Sequence, residues 1–322
     1  MLSGERVLVA GTGLVGYPLA RELVKQKNEV YGLSLFDLPG ERERVEQAGV
    51  KCIPFDLGKD SMEALPKNVS YIFFLIMAHA KDRTWDKAAE VNGHSLARVV
   101  AHCRPTKGFY YMSSAAVYLY KGHDPIKETD ALGNRSLQAG EGTYSFSKYA
   151  GEVALTAASS ILNTPGIIGR LNVPYGPGGG WMGSLLDMLV QGKEIPLHRN
   201  QPNVFHYIYE DDYVEKLQQL IEQATVPPRI VNLAGSDKAS MEEVCDYLGR
   251  LVGKQPKFVL TDVHYGNQDT DVSAMEDLVG KTRVSWQDGM RRMAELRYPD
   301  LVRAAQSSSR SALAAREGRA HA

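Results

Sequence analysis

Apolar residues in the first half of the chain fall in short runs, separated by charged stretches of helical period. Arg6-Val7-Leu8-Val9-Ala10 is a β-branched run that stops at Gly11, and Tyr17 to Gln26 then carries apolar side chains at helical spacing. The order is strand, glycine turn, helix. Glu29 to Leu35 alternates as a strand, Glu41 to Ala48 reads as a charged helix, and Lys51 to Phe55 as a further strand. Tyr71 to Met77 is apolar without a break, as suits a parallel strand covered on both faces. Helical periods recur at Glu90 to Cys103 and Tyr144 to Ala158, each followed by an apolar run, Gly108 to Met112 and Pro165 to Leu171. This alternation predicts an α/β architecture with a doubly wound parallel sheet.

Beyond Asn172 the texture changes. Pro174 to Gly180 reads as a loop, a helix follows, and Pro196 to Asn203 is rich in Pro and Asn. A strand-helix unit at Tyr207 to Glu222, a strand at Ile230 to Leu233, and helices at Ser240 to Val252 and Trp286 to Leu296 complete the pattern. The expected division is a first domain over 1–172, with 204–235 returning to it, and a smaller, mostly helical C-terminal lobe from 173–203 and 236–304. Residues 305–322, rich in Ser, Ala and Arg, are expected to form a flexible tail.

Composition removes several classes of function. The 37 Lys and Arg balance 38 Asp and Glu, and no basic block interleaved with aromatics is present to follow a phosphate backbone, so no nucleic-acid partner is expected. The longest apolar run is far short of the roughly 20 residues that span a bilayer, and the N-terminus lacks a cationic segment leading into an apolar one. A cytoplasmic protein with no membrane partner is the expectation. Cys52, Cys103 and Cys245 sit in no metal-binding spacing and read as three buried small hydrophobes, with no metal site.

Gly11-Thr12-Gly13-Leu14-Val15-Gly16 is GxGxxG between a predicted strand and a predicted helix. Gly11 permits the tight turn, Gly13 lets backbone N–H groups approach a pyrophosphate, and Gly16 permits close helix packing, with the helix N-terminus facing the anion. The sheet is thus Rossmann-type, residues 1–172 are its dinucleotide-binding domain, and the smaller lobe binds substrate. At the end of the second strand, where NAD binders usually carry an acid, stands Ser34. That leaves room for a 2′-phosphate with Arg42 or Arg44 as partner, while Asp37 could reclaim the ribose for NAD. The reading places NADP ahead of NAD. Asp56 and Leu57, after the third strand, are expected at the adenine.

Tyr144-Ser145-Phe146-Ser147-Lys148 places a phenol and an ammonium at i and i+4, on one helical face. A free tyrosine loses its proton near pH 10, and a fixed cation close by favours the phenolate and brings that value toward working pH. Lys148 also has donors for the nicotinamide ribose. Ser114, at the end of an apolar strand, can hold a substrate oxygen beside the phenol.

At these residues the chain resembles the extended, or atypical, short-chain dehydrogenase/reductase superfamily, the NAD-dependent epimerase/dehydratase family. The likeness runs roughly from Arg6 to Leu296. It includes Val91-Asn92-Gly93, Arg170-Leu171-Asn172-Val173-Pro174-Tyr175-Gly176-Pro177-Gly178, Glu210-Asp211-Asp212 and Val231 to Ser236. The resemblance implies that Ser114 positions the reacting oxygen, Tyr144 moves the proton, and Lys148 lowers its pKa and binds ribose. It also implies that Met77 and Ala78 pack along the cofactor, and that the chain pairs as a homodimer through the helix bearing Tyr144.

The departures carry information too. Ala115 and Ala116 stand where sugar 4,6-dehydratases carry Asp-Glu, which disfavours water elimination. Phe205, His206 and Tyr209 replace the arginine, first aspartate and histidine of a segment in which the arginine normally holds a nucleotide pyrophosphate, with Arg199 as a nearby substitute. His79, Ser114, Asn172, Trp181 and His206 are the candidates for touching a small-molecule substrate. Tyr118 is expected as a wall near the cofactor, and the Gln138 to Thr143 approach as a gate. The expected activity is NAD(P)-dependent hydride transfer at a carbinol or carbonyl carbon of a small polar or sugar-like substrate. The alternatives are a sugar or nucleotide-sugar epimerase with retained NAD, and a non-catalytic NAD(P)-sensing module.

Overall fold

The structure, a computed structural model, describes residues 1–77, 84–104, 106–135, 139 and 142–307. In chain order the first elements are β1 (Arg6–Ala10), α1 (Gly16–Lys25), β2 (Glu29–Ser34), α2 (Glu41–Gln47), β3 (Lys51–Pro54) and β4 (Tyr71–Phe74). Then come α3 (Trp85–Ala89), α4 (Ser95–His102), β5 (Gly108–Ser114), α5 (Tyr144–Leu162), β6 (Gly166–Leu171) and β7 (Val173–Tyr175). α6 (Gly180–Val190), β8 (Glu194–His198), β9 (Val204–Tyr209), α7 (Glu210–Ile221), β10 (Arg229–Leu233) and β11 (Lys238–Ser240) follow. α8 (Met241–Val252), β12 (Lys257–Thr261), α9 (Ser273–Val279) and α10 (Trp286–Arg297) end the series, and residues 299–307 are helical as well.

Seven strands form one sheet in the order β3-β2-β1-β4-β5-β6-β10, every neighbouring pair parallel. The order reverses between β1 and β4, so a crevice opens beyond their C-terminal ends, where ligands of such sheets bind. Successive side chains of a strand point to opposite faces, and this sorts the core. Val7, Val9, Tyr110 and Met112 enter the cluster on one side of the sheet, with Leu8, Ala10, Phe109 and Tyr111 in the cluster on the other. Strands buried on both faces account for the unbroken apolar runs in the sequence.

A second core is built from α6, α8 and α10 with two small sheets, β11-β9-β7 and β12-β8. Ser240 caps α8 through the Glu243 N–H, and Glu243 returns a bond to the Ser240 backbone, so this helix start is fixed locally.

Several expectations change here. The run at 71–77 is strand only to Phe74, and the stretch at Pro196 to Asn203 begins inside β8. The helix expected at Glu90 starts at Trp85 and passes through a π-turn, Glu90–His94, on its way to His102. Of the segment expected to return to the large sheet, β9 instead pairs with β7 and β11, while α7 packs on the large sheet and β10 joins it. Residues 305–307 belong to the last helix, and 308–322 lie outside the described residues. Cys52 is half-buried, whereas Cys103 and Cys245 are buried as expected.

Candidate active site

The crevice is a cavity of about 960 Å³. It begins at the glycine loop, where the Gly11 N–H donates to the Leu33 oxygen at 2.7 Å and Gly11 sits at φ 95°, a region favouring glycine. A Cβ on Gly16 would lie 1.8 Å from the Gly11 oxygen, so no side chain fits there. A Cβ on Gly13 would meet nothing within 4 Å, and Gly13 lines the cavity. The Thr12 hydroxyl is buried without a partner. A diphosphate fits such a cradle, with loop N–H groups and the α1 N-terminus facing it. The loop is held from outside by Tyr213, whose hydroxyl donates to the Leu14 oxygen at 3.1 Å.

From the loop, the cavity wall runs one way past Ser34, Asp37, Glu41, Asp56 and Leu57, and the other way past Met77, Ser114, Tyr144 and Lys148. These include most of the residues expected to hold a dinucleotide. Arg42 does not line the wall: it pairs with Glu46 at 2.8 Å and is exposed. Arg44 lies over the Tyr17 ring at 4.4 Å. Neither expected arginine partner of a 2′-phosphate lines the cavity. Ala78, His79 and the approach residues 138, 140 and 141 lie outside the described residues.

The three expected catalytic side chains all line this cavity. Ser114 is the last residue of β5, nine-tenths buried, and its oxygen accepts from the Ala116 N–H at 3.2 Å. Tyr144 opens α5 and also lines the cavity. The start of that helix is fastened to the strand loop by the Ser145 hydroxyl, which donates to the Ala116 oxygen at 2.6 Å. One turn on, the Lys148 amine donates to the Ile76 and Met112 oxygens, both at 2.9 Å. An ammonium has three donors, so one remains for a ribose or a phenol oxygen. Burial disfavours its charge and pushes Lys148 down to about 7.

Below this layer lies a buried ion pair that the sequence did not reveal. Arg170 grips Glu152 at 2.9 and 2.7 Å, and Glu152 also accepts from Ser113, a cavity residue at the end of β5. Burial opposes the Arg170 charge, but the hydrogen bonds and negative charge of Glu152, together with Tyr118, outweigh it and push that pKa up. Tyr118 is fully buried beneath, with the Arg170 guanidinium 4.7 Å from its ring centre and its hydroxyl donating to Asn232 at 2.6 Å.

The far wall comes from the second core. Trp181 lines it, edge-on to Phe205 at 5.3 Å, and Asn172 donates to the Gln268 oxygen at 2.9 Å. His264, Tyr265 and Gln268 also line this end; they stand in a loop whose sequence has no period or motif. Two expected substrate contacts lie elsewhere. Both His206 ring nitrogens are engaged, by the Gly235 oxygen and Asp269 at 2.8 Å each, and His206 is buried off the cavity. Arg199 pairs with Asp262 at 3.1 Å on the surface. Phe205 is buried in the second core, so no cation replaces the pyrophosphate-holding arginine there. Among the described residues no cluster of three His, Cys, Asp or Glu side chains can hold a metal, and no helix is long and apolar enough to cross a membrane.

Comparison with known proteins agrees with this architecture. The model of the NAD dependent epimerase/dehydratase family matches residues 7–234. A UDP-glucuronic acid 4-epimerase from Bacillus cereus, solved with UDP-glucuronic acid and NAD, is 17% identical with a TM-score of 0.76, over 90% of this chain and 98% of that one. A dTDP-glucose 4,6-dehydratase from Streptomyces venezuelae with NAD bound is 18% identical with a TM-score of 0.78, over 92% and 97%. An epimerase from Methanothermobacter thermautotrophicus is 18% identical with a TM-score of 0.76, over 95% of each chain. A search of curated protein sequences finds no match.

Proposed function

The chain belongs to the NAD-dependent epimerase/dehydratase family, whose enzymes carry out oxidoreductase-type chemistry, and on that premise we propose that Tyr144, Ser114 and Lys148 form its catalytic centre. The observation that carries this reading is that all three line the same cavity as Gly11–Gly16. A nicotinamide dinucleotide, when bound, supplies or accepts hydride at its C4 atom. The residues do the rest. Ser114 donates to the substrate oxygen and fixes it beside the Tyr144 phenol, which takes up or delivers the proton. Lys148, held by two carbonyls, has one donor left when protonated, for the ribose or the phenol oxygen. The Glu152–Arg170 pair ties α5 to β6 beneath them, and Ser113 ties Glu152 to β5.

Ala115 and Ala116, both buried in the turn after Ser114, lack the acid and base for eliminating water, so the chemistry is alcohol–carbonyl interconversion. We take the substrate to be small, polar or sugar-like, bound against Asn172, Trp181 and the 264–268 loop of a substrate lobe formed by 173–203 and 236–304. The cofactor lies on the domain of residues 1–172, and the charge at its adenosine ribose decides between NAD and NADP. Three free cysteines suit a cytoplasmic enzyme. The α5 face with exposed Tyr149, Val153 and Ile161, beside a Trp85–Phe146 stack at 4.7 Å, suits a homodimer that sedimentation would detect.

The test is a screen of alcohols and ketones by nicotinamide absorbance, with Tyr144→Phe as the variant. Turnover should fall about a thousandfold while dinucleotide affinity stays within about twofold. Unchanged turnover would remove Tyr144 from the mechanism. Nucleotide retained through purification favours an epimerase that oxidises and re-reduces one substrate; free exchange favours a dehydrogenase.

A further inference from the structure

The end of the cavity walled by residues 264–268 holds buried hydrogen-bond donors that nothing in the protein meets. Gln268 lines the cavity and is 6% exposed, and its amide nitrogen is buried with no hydrogen-bond partner. Its backbone is fixed: the N–H donates to the Val204 oxygen at 2.8 Å and the carbonyl accepts from Asn172 at 2.9 Å. The two residues before it are gripped by Arg135, 3% exposed, which spends Nη2 on the Gly266 and Asn267 oxygens and lies 5.2 Å from the centre of the Tyr120 ring. Its Nη1 is buried with no partner. Burial lowers the Arg135 pKa only to about 10, so the group is charged at neutral pH. Arg135 forms no ion pair among the described residues, and the acids of this loop are committed, Asp262 to Arg199 and Asp269 to His206 and Lys238. Asp37, Glu41 and Asp56, the acids of the cavity wall, belong to the segments after β2 and β3.

We propose that the substrate carries a carboxylate, which accepts from Gln268 Nε2 and supplies the negative charge that Arg135 lacks. The proposal rests on the reading of this cavity as a cofactor and substrate site, and it names the substrate class: a small hydroxy or keto acid. A buried donor left unmet costs the free energy of its desolvation, and a buried cation without a counter-charge costs more. An anion at this wall removes both penalties. The charge count favours a carboxylate over a phosphate. One uncompensated guanidinium matches one negative charge, because Lys148, which also lines the cavity, is pushed down to about 7 and is mostly neutral above that value. A phosphate carries close to two negative charges, more than the wall neutralises. The other role open to Arg135, bracing the 266–267 backbone, by itself predicts no preference for acids over neutral alcohols.

The experiment is calorimetric titration of the full chain, loaded with whichever of NAD and NADP it binds. The ligands are matched pairs in which a carboxylate replaces a neutral CH2OH group: glycerate against glycerol, lactate against propane-1,2-diol, and glucuronate against glucose, with glycerol 3-phosphate as the phosphate. The acid of at least one pair should bind at least about tenfold more tightly than its neutral partner. Arg135→Gln should bring that ratio close to one. Gln268→Met removes a donor but no charge and leaves the Arg135 contacts in place, so it carries the test even where Arg135→Gln does not fold; it should cut the ratio to about a third. Arg199→Gln, at an exposed cation, should leave the ratio unchanged. A bracing role would weaken acid and neutral ligand alike. The proposal is overturned if every neutral partner binds as tightly as its acid, if glycerol 3-phosphate binds more tightly than glycerate, if no acid of the panel binds, or if the ratio survives in Gln268→Met. Binding of neither dinucleotide overturns the functional reading itself, a different result from any of these.

Discussion

One half of the cavity is held mainly by contacts to backbone and the other leans more on side chains. On the sheet side, Gly11 bonds to the Leu33 oxygen, Leu75 to the Ala10 oxygen, and Lys148 is fixed by two carbonyls. On the far side, the wall depends on Asn172 reaching the Gln268 oxygen, Trp181 leaning on Phe205, and the Arg135 guanidinium donating to the Gly266 and Asn267 oxygens at 3.0 and 2.7 Å. Backbone contacts admit one ligand shape and tolerate little change. Side-chain contacts can be exchanged without disturbing the fold, so the far wall is where substrate choice can vary among proteins of one architecture.

The sharpest way to break this contrast is within the glycine loop. Gly16→Ala places a methyl against the Gly11 oxygen, a backbone atom of a residue whose N–H is tied to the Leu33 oxygen of β2. We expect dinucleotide affinity to fall at least about a hundredfold and the melting temperature to drop as well. Gly13→Ala, with open space around the added atom, should melt like wild type and lose affinity alone, because its methyl enters the ground a diphosphate needs. Equal melting of the two variants, or intact NAD binding in both, would show that the loop is not a cradle.

The same contrast explains what was legible in the sequence. Period-two and helical patterns, with a glycine turn between them, identify elements whose backbone does the work, so β1, α1, β2 and the start of α5 are placed within a residue or so. That Tyr144, Lys148 and Ser114 share one cavity was legible because helix and strand geometry dictates their spacing. Positions fixed by long-range side-chain packing were not legible. Glu41 looks like any acid on a charged helix until the sheet brings it to Ser34. His264, Tyr265 and Gln268 stand in an irregular loop, and they reach the cavity only after the second core folds. Arg42 and His206 have suitable chemistry, but neither lines the cavity, and they pair with Glu46 and Asp269.

The buried amine offers a second test, of intermediate size, on the backbone-held half. In the folded chain Lys148 is pushed down to about 7, whereas the unfolded chain keeps the ordinary lysine value near 10.4. Between those values the unfolded state binds a proton that the folded state does not, so stability without cofactor rises with pH across that window. From about pH 7 to about pH 9 the gain should be about 2 kcal/mol, and Lys148→Met should abolish it. Denaturant midpoints of the two proteins at both pH values give the answer. A wild-type profile parallel to that of Lys148→Met would mean the amine stays charged, with an acid partner not yet identified.

The smallest expected effect lies on the side-chain-held wall, and it decides whether the two halves are separable. Trp181→Phe keeps a ring to pack on Phe205 and shortens the reach into the cavity, so the second core should remain intact. Loss of part of an aromatic platform is worth about 1 kcal/mol. The outcome should therefore be a KM raised roughly fivefold, kcat little changed, and NAD affinity the same as wild type. If NAD affinity falls in step with KM, Trp181 belongs to the cofactor half after all. The Gly178 and Gly180 backbones already approach Leu14 of the glycine loop so closely that a Cβ on either would lie 2.9 or 2.7 Å from its side chain. That contact is one structural route by which the two halves would move together, and a KM effect confined to substrate would show that it leaves them independent.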